Sequence, residues 1–197
     1  MHGMPVGLLI KEIDFDINPY LASNGLLQKN LRLALMQTQL VSFNTPLLSR
    51  NKIHHSEEYF SIVYVGLRDV DFEERVLIKE LGIKTFTMTD IDRYGIGAVM
   101  DMAITSLLKK DPTRPIHLSY DIDAVDPLLA PATGTAVRGG LTYREAHYIA
   151  EAAASSGHLA SADLVELNPQ LSDPAGAKET VEVGLQILTS LMGKSII

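Results

Sequence analysis

The chain has 197 residues, 46% of them hydrophobic, which suits one domain with a sizeable core and excludes a disordered polar chain. Its net charge of −7, without any block of basic residues, argues against nucleic acid or an anionic membrane as the main partner and suits a small cationic substrate. There is no cysteine, so disulfides, thiolate nucleophiles and Cys-based zinc sites are excluded, and no apolar run approaches a membrane span.

The first residues, Met1-His2-Gly3-Met4-Pro5, lack the basic region and apolar stretch of a signal peptide. They read as though the chain begins partway into a fold. Leu27, Leu31, Ala34 and Leu35 suggest an amphipathic helix after Asn24-Gly25, and Val41 to His55 shows no clear period. We therefore treat 14–60 as an atypical insertion or irregular segment within a single domain spanning 1–197.

From Ser61 onward, strand and helix patterns alternate. Ile62 to Leu67 is a continuous apolar run, as expected of a parallel strand buried on both faces. Phe72 to Leu81 predicts a helix closed by Gly82, and Thr85 to Met88 a short strand. Ile96, Val99, Met100, Ala103, Ile104, Leu107 and Leu108 trace one helical face, broken by Asp111-Pro112-Thr113-Arg114-Pro115. Ile116 to Tyr120 predicts another strand. Thr142-Tyr143-Arg144-Glu145 is a capping-box pattern that opens a helix with Ala146, Ile149, Ala150 and Ala153 inward. Ala162 to Leu167 predicts the next strand. Val181, Leu185, Leu188 and Met192 mark a last helix, ended by Gly193. Repeated strand–helix units predict an α/β fold, three-layer α/β/α, with a mainly parallel sheet.

Chemistry concentrates after the strand at Ile116. Asp121, Asp123 and Asp126 crowd into Asp121-Ile122-Asp123-Ala124-Val125-Asp126. Clustered carboxylates repel, so solvent or an oxygen-preferring divalent cation must stabilise them. Asp121 and Asp123 stand at i and i+2, and continued strand geometry would point both to one side. The plainer alternative is an Asp-rich turn that caps backbone amides. Glu166, at another strand end, could receive a guanidinium in bidentate fashion or make an ordinary strand-end salt bridge. Thr135, beside Gly134, could hydrogen-bond toward the acidic cluster or merely form a turn. Asp71, Asp121, Asp123 and Glu166 all fall at or just past strand ends, where sites of parallel sheets gather. His117, inside a strand, is expected to be packed or hydrogen-bonded. His147 is expected on a helix surface, His158 in a loop, and His54 and His55 in solvent. His2, taken alone, is a solvated terminal side chain.

Ser119 to Pro127, then Ala130-Pro131-Ala132-Thr133-Gly134-Thr135, then Gly139 to Glu145, closely resemble the signature motifs of arginases in the ureohydrolase family. Val165-Glu166-Leu167-Asn168-Pro169 resembles the arginase form of the later motif rather than the agmatinase form, where Ser-Pro is usual. Val65 to Asp71 and His2 to Val6 are similar to arginase segments as well. The likeness covers residues 1 to about 13 and about 61 to 193.

The resemblance implies an arginase-like fold, incomplete at its N-terminus, and an amidino hydrolase that converts L-arginine to L-ornithine and urea. It implies two Mn²⁺ ions and a metal-bridging hydroxide that attacks the guanidinium carbon. Asp121 and Asp123 match metal ligands, Glu166 the guanidinium-holding residue, and Thr135 a substrate-pocket position. Asp71 matches the carboxylate that helps recognise the α-amino group, and His2 a histidine proposed as a proton shuttle. A homo-oligomer, trimeric by the resemblance, is expected. The cytoplasm is the expected compartment, with mitochondria also compatible.

The family's D-x-H-x-D segment and a further ligand histidine have no counterpart in this sequence. Ala136 stands where proline is usual and Ala146 where glycine is usual. A catalytically silent arginase fragment or pseudoenzyme is therefore the alternative reading. An agmatinase-type ureohydrolase is the nearest variant, and a phosphohydrolase with an Asp-x-Asp nucleophile is more distant.

Overall fold

The computed structural model describes residues 38–43, 60–80 and 82–196. The elements are β1 (Thr38–Phe43), β2 (Phe60–Leu67), α1 (Phe72–Glu80), β3 (Lys84–Thr87), α2 (Met88–Leu108), β4 (Ile116–Asp121), α3 (Tyr143–Ser155), β5 (Leu159–Val165) and α4 (Pro174–Leu191). Short 3₁₀ turns follow β4 at Ile122–Ala124 and β5 at Pro169–Leu171.

The sheet order is β3-β2-β1-β4-β5. β2 pairs with β3 and β4 with β5 in parallel, while β1 runs antiparallel to both β2 and β4. Among the described strands, four share one direction and β1 is reversed, in keeping with the expected mainly parallel sheet. β1 lies inside the segment read as irregular, and that reading needs correction. Its six residues are too few and too weakly alternating for a periodicity test. It gains its conformation from ladders on both sides, Thr38–Phe43 against β2 and Gln39–Ser42 against β4.

Strand alternation sends side chains to two apolar layers. Val63, Val65, Ile116, Leu118 and Tyr120 enter the main core, where Val99, Met100, Ala103 and Leu107 of α2 meet Ala146, Ile149, Ala150 and Ala153 of α3. Ile62, Tyr64 and Leu67 face the other way, against Val70, Ile78 and Ile83 around α1. Helices therefore lie on both sheet faces, giving the expected three layers.

Helix starts follow local chemistry. Thr87 with Asp90, and Thr142 with Glu145, form reciprocal capping boxes at α2 and α3. Asp173 caps α4 through the Gly176 N–H, and Gly193, at φ 93°, follows its end. The inward face of α4 differs from the expected stripe. Val183, Ile187 and Leu191 are buried, whereas Leu185 and Met192 are exposed. Gly184 decides the rotation, because a Cβ there would lie 2.9 Å from Leu167 Cδ1 and 3.0 Å from Leu164 Cδ2. The bare backbone at Gly184 lets this side of α4 approach the β5 end closely. β5 starts earlier than Ala162, at Leu159, and it stops at Val165 because Glu166 leaves the extended conformation at φ 62°. Among the described residues, no helix is long and apolar enough to cross a membrane.

Candidate functional site

Because β2, β4 and β5 run in one direction, their carboxyl ends open on the same side of the sheet. β4 ends at Asp121, which turns the chain instead of extending it. Asp121 Oδ1 accepts the Asp123 backbone N–H at 3.1 Å and caps the 3₁₀ turn. The two carboxylates therefore meet through a turn, not through the i, i+2 geometry of a strand, which corrects that expectation. The amide-capping alternative is realised together with the juxtaposition.

Both carboxyls are buried and hydrogen-bonded to each other. Burial pushes the Asp121 pKa well up, and the neighbouring Asp123 and Glu166 charges add to it. Burial also raises Asp123, against the opposing Asp121 hydrogen bond and the Arg68 guanidinium. Asp123 Oδ1 is buried without a hydrogen-bond partner among the described residues. A carboxylate pair that is hard to ionise, with one oxygen left over, fits a hard divalent cation, which would take the place of a shared proton. Among the described residues, no group of three or more His, Asp or Glu is arranged to hold a metal ion.

Glu166 sits just beyond β5 and is the one non-glycine with positive φ among the described residues. Its carbonyl accepts the Thr133 hydroxyl at 3.0 Å, and Thr133 bridges to Leu167 across the same gap. The Asn168 N–H donates to Ala132 O at 2.9 Å, and the Ala132 N–H donates to Thr180 Oγ1 at 2.9 Å. The Pro131 to Thr135 stretch is thus stitched to the end of β5. Gly134 lies against the Glu166 carboxylate, and Thr135 is the next residue in the loop.

The loop is closed from inside by Asp126. Its carboxylate accepts the N–H groups of Leu128 at 3.0 Å, Gly139 at 2.7 Å and Gly140 at 3.1 Å, which lowers its pKa. The sequence suggested a third acidic group for a cation; the structure uses Asp126 to tie backbone.

Asp71 stands apart from the buried pair. It is exposed before α1, where its carbonyl accepts the Arg75 N–H at 3.0 Å. Beside it, Glu74 is buried and accepts the Asp71 N–H, with Oε1 unpartnered among the described residues. Burial raises Glu74 to about 7, with the Asp71 and Asp69 charges contributing. Glu74 and Arg68 escaped the sequence reading. The available signals were a Glu three residues after Asp71 in a helix start, and an Arg immediately after an apolar strand.

His117 is hydrogen-bonded as expected, with Nδ1 2.8 Å from Ser161 Oγ and Nε2 3.4 Å from Asp163 Oδ2. His147 departs from its expected surface position. It is buried between α3 and α4, with Nδ1 2.9 Å from Ser190 Oγ. Rotation of the α4 apolar face carries Ser190 inward and encloses the imidazole. His2, His54 and His55 lie outside the described residues.

Residues 2–193 match the arginase family. The arginase of Glaciozyma antarctica is 51% identical over 136 residues, which cover 69% of this chain and 39% of that protein. The arginase structure from Bacillus caldovelox superposes with a TM-score of 0.62 at 41% identity, covering 68% of this chain and 44% of the other. Entamoeba histolytica arginase, crystallised with L-ornithine, is 33% identical with a TM-score of 0.58, covering 67% and 42%. The chain therefore spans less than half the length of these relatives.

Proposed function

Because this chain belongs to the arginase family, we propose that it carries the carboxylate half of a site that hydrolyses L-arginine to L-ornithine and urea. The supporting observation is the buried Asp121–Asp123 pair, with an Asp123 oxygen that has no partner among the described residues and Glu166 close enough to raise both carboxyl pKa values. Asp121 and Asp123 would hold manganese, two ions per complete site. Such ions, when bound, lower the pKa of water so that hydroxide is available near neutrality.

The chain's own groups have distinct tasks. Glu166 would take the guanidinium through two parallel N–H···O contacts and fix its carbon over the acidic turn. Thr135 would line the substrate pocket, and Asp71 would attract the α-ammonium group. His2 would supply the proton that the departing ornithine amine requires. One water is consumed: its oxygen becomes the urea oxygen as the bond between the guanidino carbon and the ornithine nitrogen breaks. A cytoplasmic homo-oligomer, trimeric in the family pattern, with a role in arginine metabolism and the urea cycle, completes the reading.

A second reading, a catalytically silent fragment, is favoured by the absence of a third converging ligand among the described residues. Two measurements separate the readings. Urea release from L-arginine with Mn²⁺, and less from agmatine, supports the hydrolase. A purified chain with no bound Mn and no urea release, while still folded, supports the silent fragment. Asp121→Ala should abolish any turnover; unchanged turnover would remove Asp121 from the proposed ligands.

A further inference from the structure

Arg68 makes contacts that neither the acidic pair nor the guanidinium-binding carboxylate explains. It follows Gly66, where φ is 89° and the β2–β3 register shifts between Val65 and Leu67. A glycine at such an irregularity redirects the strand end. The redirected guanidinium reaches across to two backbone carbonyls far away in sequence. Nε donates to Val137 O at 3.0 Å, and Nη2 donates to Val137 O at 2.8 Å and to Asp123 O at 2.5 Å. Val137 is two residues beyond Thr135, and Asp123 belongs to the acidic turn.

The same loop is held from its inner side by Asp126, which collects the amides of Leu128, Gly139 and Gly140. The Asp126 N–H donates to Leu141 O at 3.0 Å, and the Leu141 N–H donates to Ala124 O at 2.8 Å. Both ends of the 124–141 loop are thereby closed. Its middle, which carries Thr135, is attached to the acidic turn through Arg68.

We propose that Arg68 is a positioning residue that fixes the Thr135 loop relative to the Asp123 turn by bridging the carbonyls of Val137 and Asp123. This rests on the reading of Asp123 as a metal ligand and Thr135 as part of the substrate pocket. The geometry requires the planar fork of arginine. A lysine ammonium keeps the charge but cannot reproduce paired donors to Val137 together with the Asp123 contact. A purely electrostatic role makes the opposite demand, because a lysine would serve as well.

The test compares wild type, Arg68→Lys and Arg68→Gln by amide hydrogen exchange on the full chain, which needs no activity. Positioning predicts that exchange over 134–141 quickens by about tenfold or more in both variants, while β4 amides at 116–120 stay protected. Unchanged loop exchange in Arg68→Lys overturns the proposal. So does faster exchange that extends equally to β4 in both variants, because that would mark general unfolding. Where wild type releases urea, both variants should raise KM for arginine roughly tenfold, with Mn²⁺ affinity held or increased. A variant with weaker Mn²⁺ binding and an unchanged KM overturns it. A wild-type chain that releases no urea defeats the proposed function alone, and loop exchange still decides the role of Arg68.

Discussion

Gly134 presents bare backbone to the Glu166 carboxylate: a Cβ at Gly134 would lie 3.6 Å from Glu166 Oε2. That separation is ordinary contact, so Gly134→Ala should fold with stability within about 0.5 kcal/mol of wild type. Gly134→Leu fills the space over the carboxylate. Under the proposed function it should raise KM for arginine by more than tenfold on an order-of-magnitude scale. Urea release against arginine concentration checks the pair, and equal kinetics for Ala and Leu would separate Gly134 from the substrate path.

Glu166 holds its carboxylate in place at the cost of a left-handed backbone, φ 62°. A side chain in that region costs on the order of 1 kcal/mol, which glycine avoids. Glu166→Gly should therefore be more stable than Glu166→Ala by roughly 1 kcal/mol. Under the proposed function, both should lose guanidinium binding. Urea melts of the two variants measure the difference; an Ala variant more stable than the Gly variant would contradict the strain.

Gly140 has no such latitude. A Cβ there would meet Asp126 N at 2.6 Å and Ala124 O at 2.8 Å, both backbone atoms that cannot rotate away. Gly140→Ala should destabilise by about 2 kcal/mol or more and free the Gly139 and Gly140 amides from Asp126. Thermal melting and amide exchange report the two effects separately.

Glu74 gives the fold a pH dependence of defined sign. Its folded-state pKa is raised to about 7, above the ordinary value of 4.5, chiefly by burial. The folded chain therefore holds this proton more tightly than the unfolded chain. The contribution to stability is full below about pH 4.5 and is lost as pH rises through about 7. Glu74→Gln should flatten that slope and gain roughly 1 kcal/mol at about pH 8, allowing for solvent screening at a partly wet site. Urea midpoints at about pH 5 and about pH 8 test it; an unchanged slope would dismiss the buried carboxyl as its source.

His147 and Ser190 form a buried polar pair between α3 and α4, and His147 Nε2 has no partner among the described residues. Burial lowers the imidazole pKa, which favours its neutral form. Ser190→Ala strands Nδ1 as well and should cost about 1–2 kcal/mol. His147→Leu with Ser190→Ala removes both partners and should return close to wild type. A double-mutant cycle by chemical denaturation shows whether the pair couples.

Much of the molecule was legible locally. The capping boxes at Thr87 and Thr142, the strand at Ile116 and the inward alanines of α3 all follow from patterns within a few residues. Motif chemistry likewise marks Asp121, Asp123 and Glu166, and the family motifs connect them. Other features depend on partners distant in sequence. β1 lacks a readable period, and its strand conformation comes from ladders with β2 and β4. α4 buries Val183 and Ile187 rather than Leu185 because Gly184 admits Leu164 and Leu167.

From β2 onward the succession of strands and helices, and the kind of chemistry, could be read from local patterns, because periodicity, caps and acidic spacing are short-range properties. Which carboxylates lie side by side depends instead on long-range contacts. The tertiary structure turned Asp121 onto Asp123, assigned Asp126 to backbone amides and brought Glu166 to Gly134. It also revealed Arg68, whose partners Asp123 and Val137 lie 55 and 69 residues away. Side-chain contacts at that separation leave no periodic trace, so residue spacing cannot encode them in readable form.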